Sequence, residues 1–77
     1  MKQTCIYDLA TFRVYSYGNG ASYLFQNKTT EMEIMFQGED ACQFENDFNK
    51  ATNTIPDFDA AFGIIWEYYE ELAEPWN

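Results

Sequence analysis

The sequence predicts an α+β fold: an antiparallel meander of three strands, with a fourth at its start left open, followed by two helices packed on one of its faces. Three observations predict it. Apolar residues recur at every second position up to Gly38 and at every third or fourth position after it. Two runs rich in β-branched and aromatic residues flank Gly18, Asn19 and Gly20, and an Asn-Gly pair there supplies the positive φ of a tight hairpin turn. Charge divides at the same place: residues 1–38 hold three acids and three bases, whereas residues 39–77 hold ten acids against Lys50 alone. With 77 residues in all, too few for a second core, the division marks two halves of one domain spanning residues 1–77.

Residues 4–9 carry Ile6, Tyr7 and Leu9 and fit either a fourth strand or an irregular arm across the sheet. Residues 11–17 and 21–26 form the hairpin. With Asn19 and Gly20 as its loop, Val14 faces Phe25 and Ser16 faces Tyr23 on one side, while Tyr15 faces Leu24 on the other. After the polar link 27–30, residues 31–37 alternate, with Met32, Ile34 and Phe36 on one face and Glu31 and Glu33 on the other. A first helix covers residues 39–51, since Ala41, Phe44, Phe48 and Ala51 make a stripe and acids crowd the first turn, where the helix dipole favours them. The polar run 52–54 ends it. Thr54 with Asp57 resembles a capping box that starts a second helix, which carries Phe58, Ala61, Phe62, Ile65, Tyr69 and Leu72 on its apolar side and runs to about Ala73 before Pro75 stops it.

Composition narrows the chemistry. Hydrophobic residues at 47% and aromatics at 19% supply enough core to fold despite a formal charge of −9. That charge excludes DNA, RNA and anionic membranes as direct ligands. With no His, two Cys and two Ser, the usual pairs of nucleophile and base cannot be assembled, so no enzyme activity is expected. Cys5 and Cys42 form no C-x-x-C motif, and only their distance in space decides whether they pair. Asp57 and Asp59 lack the remaining ligands of a calcium loop, and nothing beside Glu67 and Glu71 offers the apolar pocket of an acid–base pair; no metal or cofactor is expected. Residues 1–5 hold one Lys, Asp8 breaks the apolar run of an export signal, and the longest apolar stretch, residues 60–66, is far below the ~20 residues of a membrane span. A cytoplasmic protein is the expectation.

The most distinctive segment is residues 66–76, WEYYEELAEPW. If the helix continues through it, Glu67, Glu70, Glu71 and Glu74 share one face, extended over about 10 Å, with Tyr68 beside them. Most charge runs on helices are solvated outer faces. Here, like charges at i and i+4 repel, no cation of this helix offsets them, and the neighbouring helix adds Glu39, Asp40, Glu45 and Asp47. Carboxylates on a small rigid domain can stand at spacings comparable to phosphates, roughly 7 Å along a strand, and occupy the basic groove of a nucleic-acid-binding protein.

In size, charge, aromatic content and sheet-plus-helix outline the whole chain resembles the small acidic inhibitors that phages use against host defence, such as anti-CRISPR, anti-restriction and uracil-glycosylase-inhibitor proteins. Those proteins have unrelated folds, so the resemblance carries over no residue. It implies a non-catalytic DNA mimic that blocks a basic nucleic-acid-handling protein or complex; the charge pattern, not the resemblance, puts that contact on the nine residues just named. A generic interaction module, antitoxin-like or adaptor, is the alternative, with sheet aromatics making the contact. All seven Phe fall on core-facing stripes, but Tyr7, Tyr15, Tyr17, Tyr68, Trp66 and Trp76 are hard to place inside so small a domain, and some of them are expected to face a partner. The same residues also fit a homodimer that buries the second face of the meander.

Overall fold

A computed structural model describes residues 3–18 and 20–76. Four strands, β1 (Gln3–Asp8), β2 (Phe12–Tyr17), β3 (Ser22–Asn27) and β4 (Met32–Gln37), form an antiparallel meander, followed by α1 (Glu39–Thr54) and α2 (Phe58–Tyr69). A 3-10 turn, Glu70–Leu72, then leads to a two-residue strand, β5 (Glu74–Pro75), which closes the far edge of the sheet in the order β1-β2-β3-β4-β5. The α+β reading holds.

The central hairpin pairs Val14 with Phe25, Tyr15 with Leu24 and Ser16 with Tyr23, as the alternation requires. Ala21 N–H donates to the Gly18 carbonyl at 3.3 Å, and Gly18 and Gly20 take φ of 58° and 95°. Asn19, the other expected loop residue, lies outside the described residues. Residues 3–8 settle as a strand with a bulge: Cys5 pairs with Tyr15, but Tyr7 pairs with Val14, so Ile6 is the extra residue. The bulge turns Tyr7 onto the helix-covered face, where its ring meets Phe48, Phe58 and Phe62.

Alternate residues of β2, β3 and β4 share one face with the inner sides of the helices. Val14, Phe25, Phe36, Phe44 and Phe62 are fully buried there, and Phe36 stacks on Phe44 with ring centroids 4.4 Å apart. Six of the seven Phe are core; Phe58 is 40% exposed. Trp66 belongs inside as well, packed against Phe12 and Phe25, which corrects its place among the partner-facing aromatics.

All three helix boundaries after residue 51 need correction. The polar run 52–54 does not end α1, because Thr52 and Thr54 turn their hydroxyls back to the Phe48 and Lys50 carbonyls at 2.8 and 2.9 Å and stay helical. The helix stops at Ile55 instead, which precedes Pro56 and is held extended at φ −110° and ψ 113°. Thr54 is therefore no cap for α2. Asp57 caps it alone, accepting from Asp59 N–H and Ala60 N–H at 3.0 and 3.3 Å. At its other end α2 stops at Tyr69, four residues short of Ala73. The chain tightens through the 3-10 turn and extends at Ala73 to reach β4, where Glu33 pairs with Glu74 and Met32 with Pro75. Leu72, assigned to the apolar stripe, consequently points away from the core and is 61% exposed.

Candidate acidic interaction surface

The early end of α2 fixes where the glutamates stand. Glu67 lies on the last turn of α2, Glu70 and Glu71 on the 3-10 turn and Glu74 on β5, all exposed. They do not share one helix face, so the continuous stripe is corrected to a cluster carried by three successive elements. The cluster sits where α2 ends, with acids following the negative pole of its dipole and no basic residue in its last turn. Across the β4–β5 ladder Glu74 stands directly opposite Glu33, a like-charge pair that opposes the pairing. The alternation of residues 31–37 places Glu33 on the solvent face of a strand, but no sequence signal shows that β5 brings Glu74 beside it.

On α1, Glu39 and Asp40 are exposed in the first turn, whereas Glu45 and Asp47 are half-buried. Asp47 is a structural tether: one carboxylate oxygen accepts the Tyr69 hydroxyl at 2.5 Å and the other accepts the Gln43 side-chain amide at 3.1 Å. Burial, reinforced by the Asp47 hydrogen bond and charge, pushes the Tyr69 hydroxyl up to about 12. Asp40 also acts on Tyr69, so acids of α1 and the end of α2 meet at one end of the helical layer. Glu45 stands beside the Tyr23 hydroxyl, which burial, followed by the Glu45 charge, pushes up to about 12.

Two of the cations, Lys28 and Arg13, sit elsewhere. Lys28 donates to Asp8 at 2.7 Å and to the Leu9 carbonyl, and the Arg13 guanidinium lies 3.9 Å from Asp8 while donating to the Tyr15 hydroxyl at 3.1 Å. The hydrogen bond and charge of Lys28 hold the Asp8 carboxyl below its ordinary range. Among the described residues, both ion pairs involve Asp8, and none reaches the acids of residues 39–76.

Apolar surface adjoins the acids in two hollows of about 290 Å³ each. One, between the helices, is lined by Ala51, Ile55, Ile64, Ile65 and Tyr68 with Asp47, Lys50 and Thr54; the other lies between β4 and the 3-10 turn, where Met35 and Leu72 meet Glu33 and Glu74. Tyr68, named from the sequence as the aromatic of this surface, is 68% exposed.

Asp59 has a local duty. Both oxygens of Asp59 receive Thr11, its backbone N–H at 2.9 Å and its hydroxyl at 2.8 Å, which pins the first turn of α2 to the start of β2. Among the described residues, no three of His, Cys, Asp and Glu gather as metal ligands would. Cys5 and Cys42 are free thiols, both exposed. No described helix is long and apolar enough to cross a membrane. No family model, curated protein or solved structure matches the chain.

Proposed function

We propose that this protein is a non-catalytic acidic inhibitor, of the anti-CRISPR or anti-restriction type, that blocks a basic nucleic-acid-handling protein by imitating nucleic-acid charge. The observation that carries the reading is the uncompensated acid from the end of α2 onward: Glu67, Glu70 and Glu71 stand at the negative pole of a helix and Glu74 on the strand that follows, with no cation of residues 39–76 paired to them. Folding gains nothing from that arrangement, since the dipole and the like charges both oppose it. Recognition of a basic groove gains from it directly, through complementary potential and faster encounter. Glu39 and Asp40 extend the acidic surface at the same end. Glu45 and Asp47 contribute charge while serving the fold, and Tyr68 adds aromatic contact area of the kind enriched in interface hot spots.

The test is capture and competition. Immobilised protein is exposed to lysate of the cell in which it acts, the retained chain is identified and purified, and duplex DNA or RNA is then titrated into the complex. The nucleic acid should release the partner, and neutral polymer at equal mass should not. A partner that keeps its own nucleic acid and the inhibitor bound together would contradict the mimic reading.

A further inference from the structure

We propose that two copies of this chain pair back to back through the outer face of the sheet, the face that neither helix covers. The strand registers arrange that face as rows across the four long strands. Cys5, Tyr15, Leu24 and Met35 form the central row, which carries no charge. The row on one side, from Gln3 to Gln37, is uncharged as well, and charge enters only in the third row, in mixed sign, with Asp8, Arg13 and Glu33, and with Glu74 beside Glu33 at the β5 edge. Met35 is 48% exposed on this face, with Tyr15 and Leu24 half-buried beside it. A basic partner finds no carboxylate in the two uncharged rows, so the acidic surface described above meets this face only at its β4–β5 edge, where Met35 and Glu74 line one hollow.

A second copy fits it for an electrostatic reason. Each chain carries −9, and residues 1–38 contribute none of it. Most ways of docking two copies bring the acidic helical layers together. Back-to-back packing sets the two sheets about 10 Å apart and leaves the helical layers about 30 Å apart, several Debye lengths at physiological salt. A two-fold contact also makes one apolar row sufficient, because the same patch serves both copies. The dimer should therefore tighten as salt screens the residual repulsion, the reverse of the trend expected for an acidic surface on a basic partner. Failure of either proposal leaves the other standing.

The two thiols give the test its internal control, since Cys5 lies in the central row and Cys42 on α1. Purified protein is examined by sedimentation equilibrium over a range of concentrations at about 50 mM and about 500 mM salt, with maleimide labelling of both thiols followed in parallel. The expected result is a species of twice the chain mass, favoured by higher salt, in which labelling of Cys5 slows roughly tenfold relative to Cys42 once about nine-tenths of the chains are paired. Leu24→Asp should return the single-chain mass; Met35→Glu, at a more exposed position, should do the same if the first variant does not fold. A single-chain mass at every concentration and salt overturns the proposal, including the case where another protein takes this face. So does a dimer that leaves Cys5 as reactive as Cys42 or that survives Met35→Glu.

Discussion

Asp57 and Thr54 show how one residue's hydrogen bond decides a boundary. Their spacing suggested a shared cap, but Thr54 spends its hydroxyl on the Lys50 carbonyl while Asp57 receives two amides of α2. Asp57→Ala should cost about 0.5–2 kcal/mol in urea denaturation, and Thr54→Ala less than half of that. Equal losses would restore the capping box. Tyr23 and Tyr69 give a second prediction at this scale. Their hydroxyls titrate near 12 in the fold, against 10.0 ordinarily, so the fold holds those protons more tightly than the unfolded chain does. The stability this supplies is complete below about pH 10 and is lost as pH rises from there through 12. Stability measured across that window should fall less steeply in Tyr69→Phe than in the parent chain; an unchanged slope would mean that Asp47 and burial do not perturb Tyr69. The sequence places Tyr69 on the apolar side of the second helix and Tyr23 in the hairpin but leaves their hydroxyls unmarked, because the ties depend on α1 lying beside α2 and against β3, whereas the buried Phe positions were legible from periodicity alone.

At the scale of elements, β2 and β3 were legible down to register, and β4 down to which of Met32, Ile34 and Phe36 face the core, because each alternates against a buried face and a one-residue slip would expose it. Other elements were not. The bulge at Ile6 breaks the alternation that would have identified β1, and β5 has two residues, one of them Pro, with no period to detect. Losing β5 from view is what stretched α2 to Ala73 and aligned four glutamates on one face. Trp66 is inside although side-chain volume argues against it, because the inner face of β2 and β3, with Phe12 and Phe25, leaves room for the indole. The corrected cluster carries its own prediction. Glu67→Lys with Glu71→Lys relieves repulsion at the negative pole of α2, so the double variant should melt at the same temperature as the parent or slightly higher. Against the captured partner it should bind at least about tenfold more weakly, or about 1.4 kcal/mol. Normal binding by the folded variant would move the contact to the sheet aromatics, where Tyr15 and Tyr17 stand on the uncovered face.

For the molecule as a whole, the division of charge was fully legible, since it needs only counting, and the fold turns it into geometry. A neutral sheet carries the helical layer, and the acids of residues 39–76 stand on that layer and on the turn and strand that follow it. The cations Arg13 and Lys28 are held at Asp8, on the sheet. Which protein receives that surface was not legible, because charge specifies a class of partner and not a shape. The central claim is that this surface stands in for nucleic acid, and the most direct measurement is the dissociation constant of the purified complex as a function of salt. The account predicts a steep, roughly linear loss of log affinity with log salt, as for a ligand that displaces ions from a basic groove, and a shallower slope for Glu67→Lys with Glu71→Lys. An affinity that holds steady from about 50 mM to about 500 mM salt, in the parent and the variant alike, would contradict it.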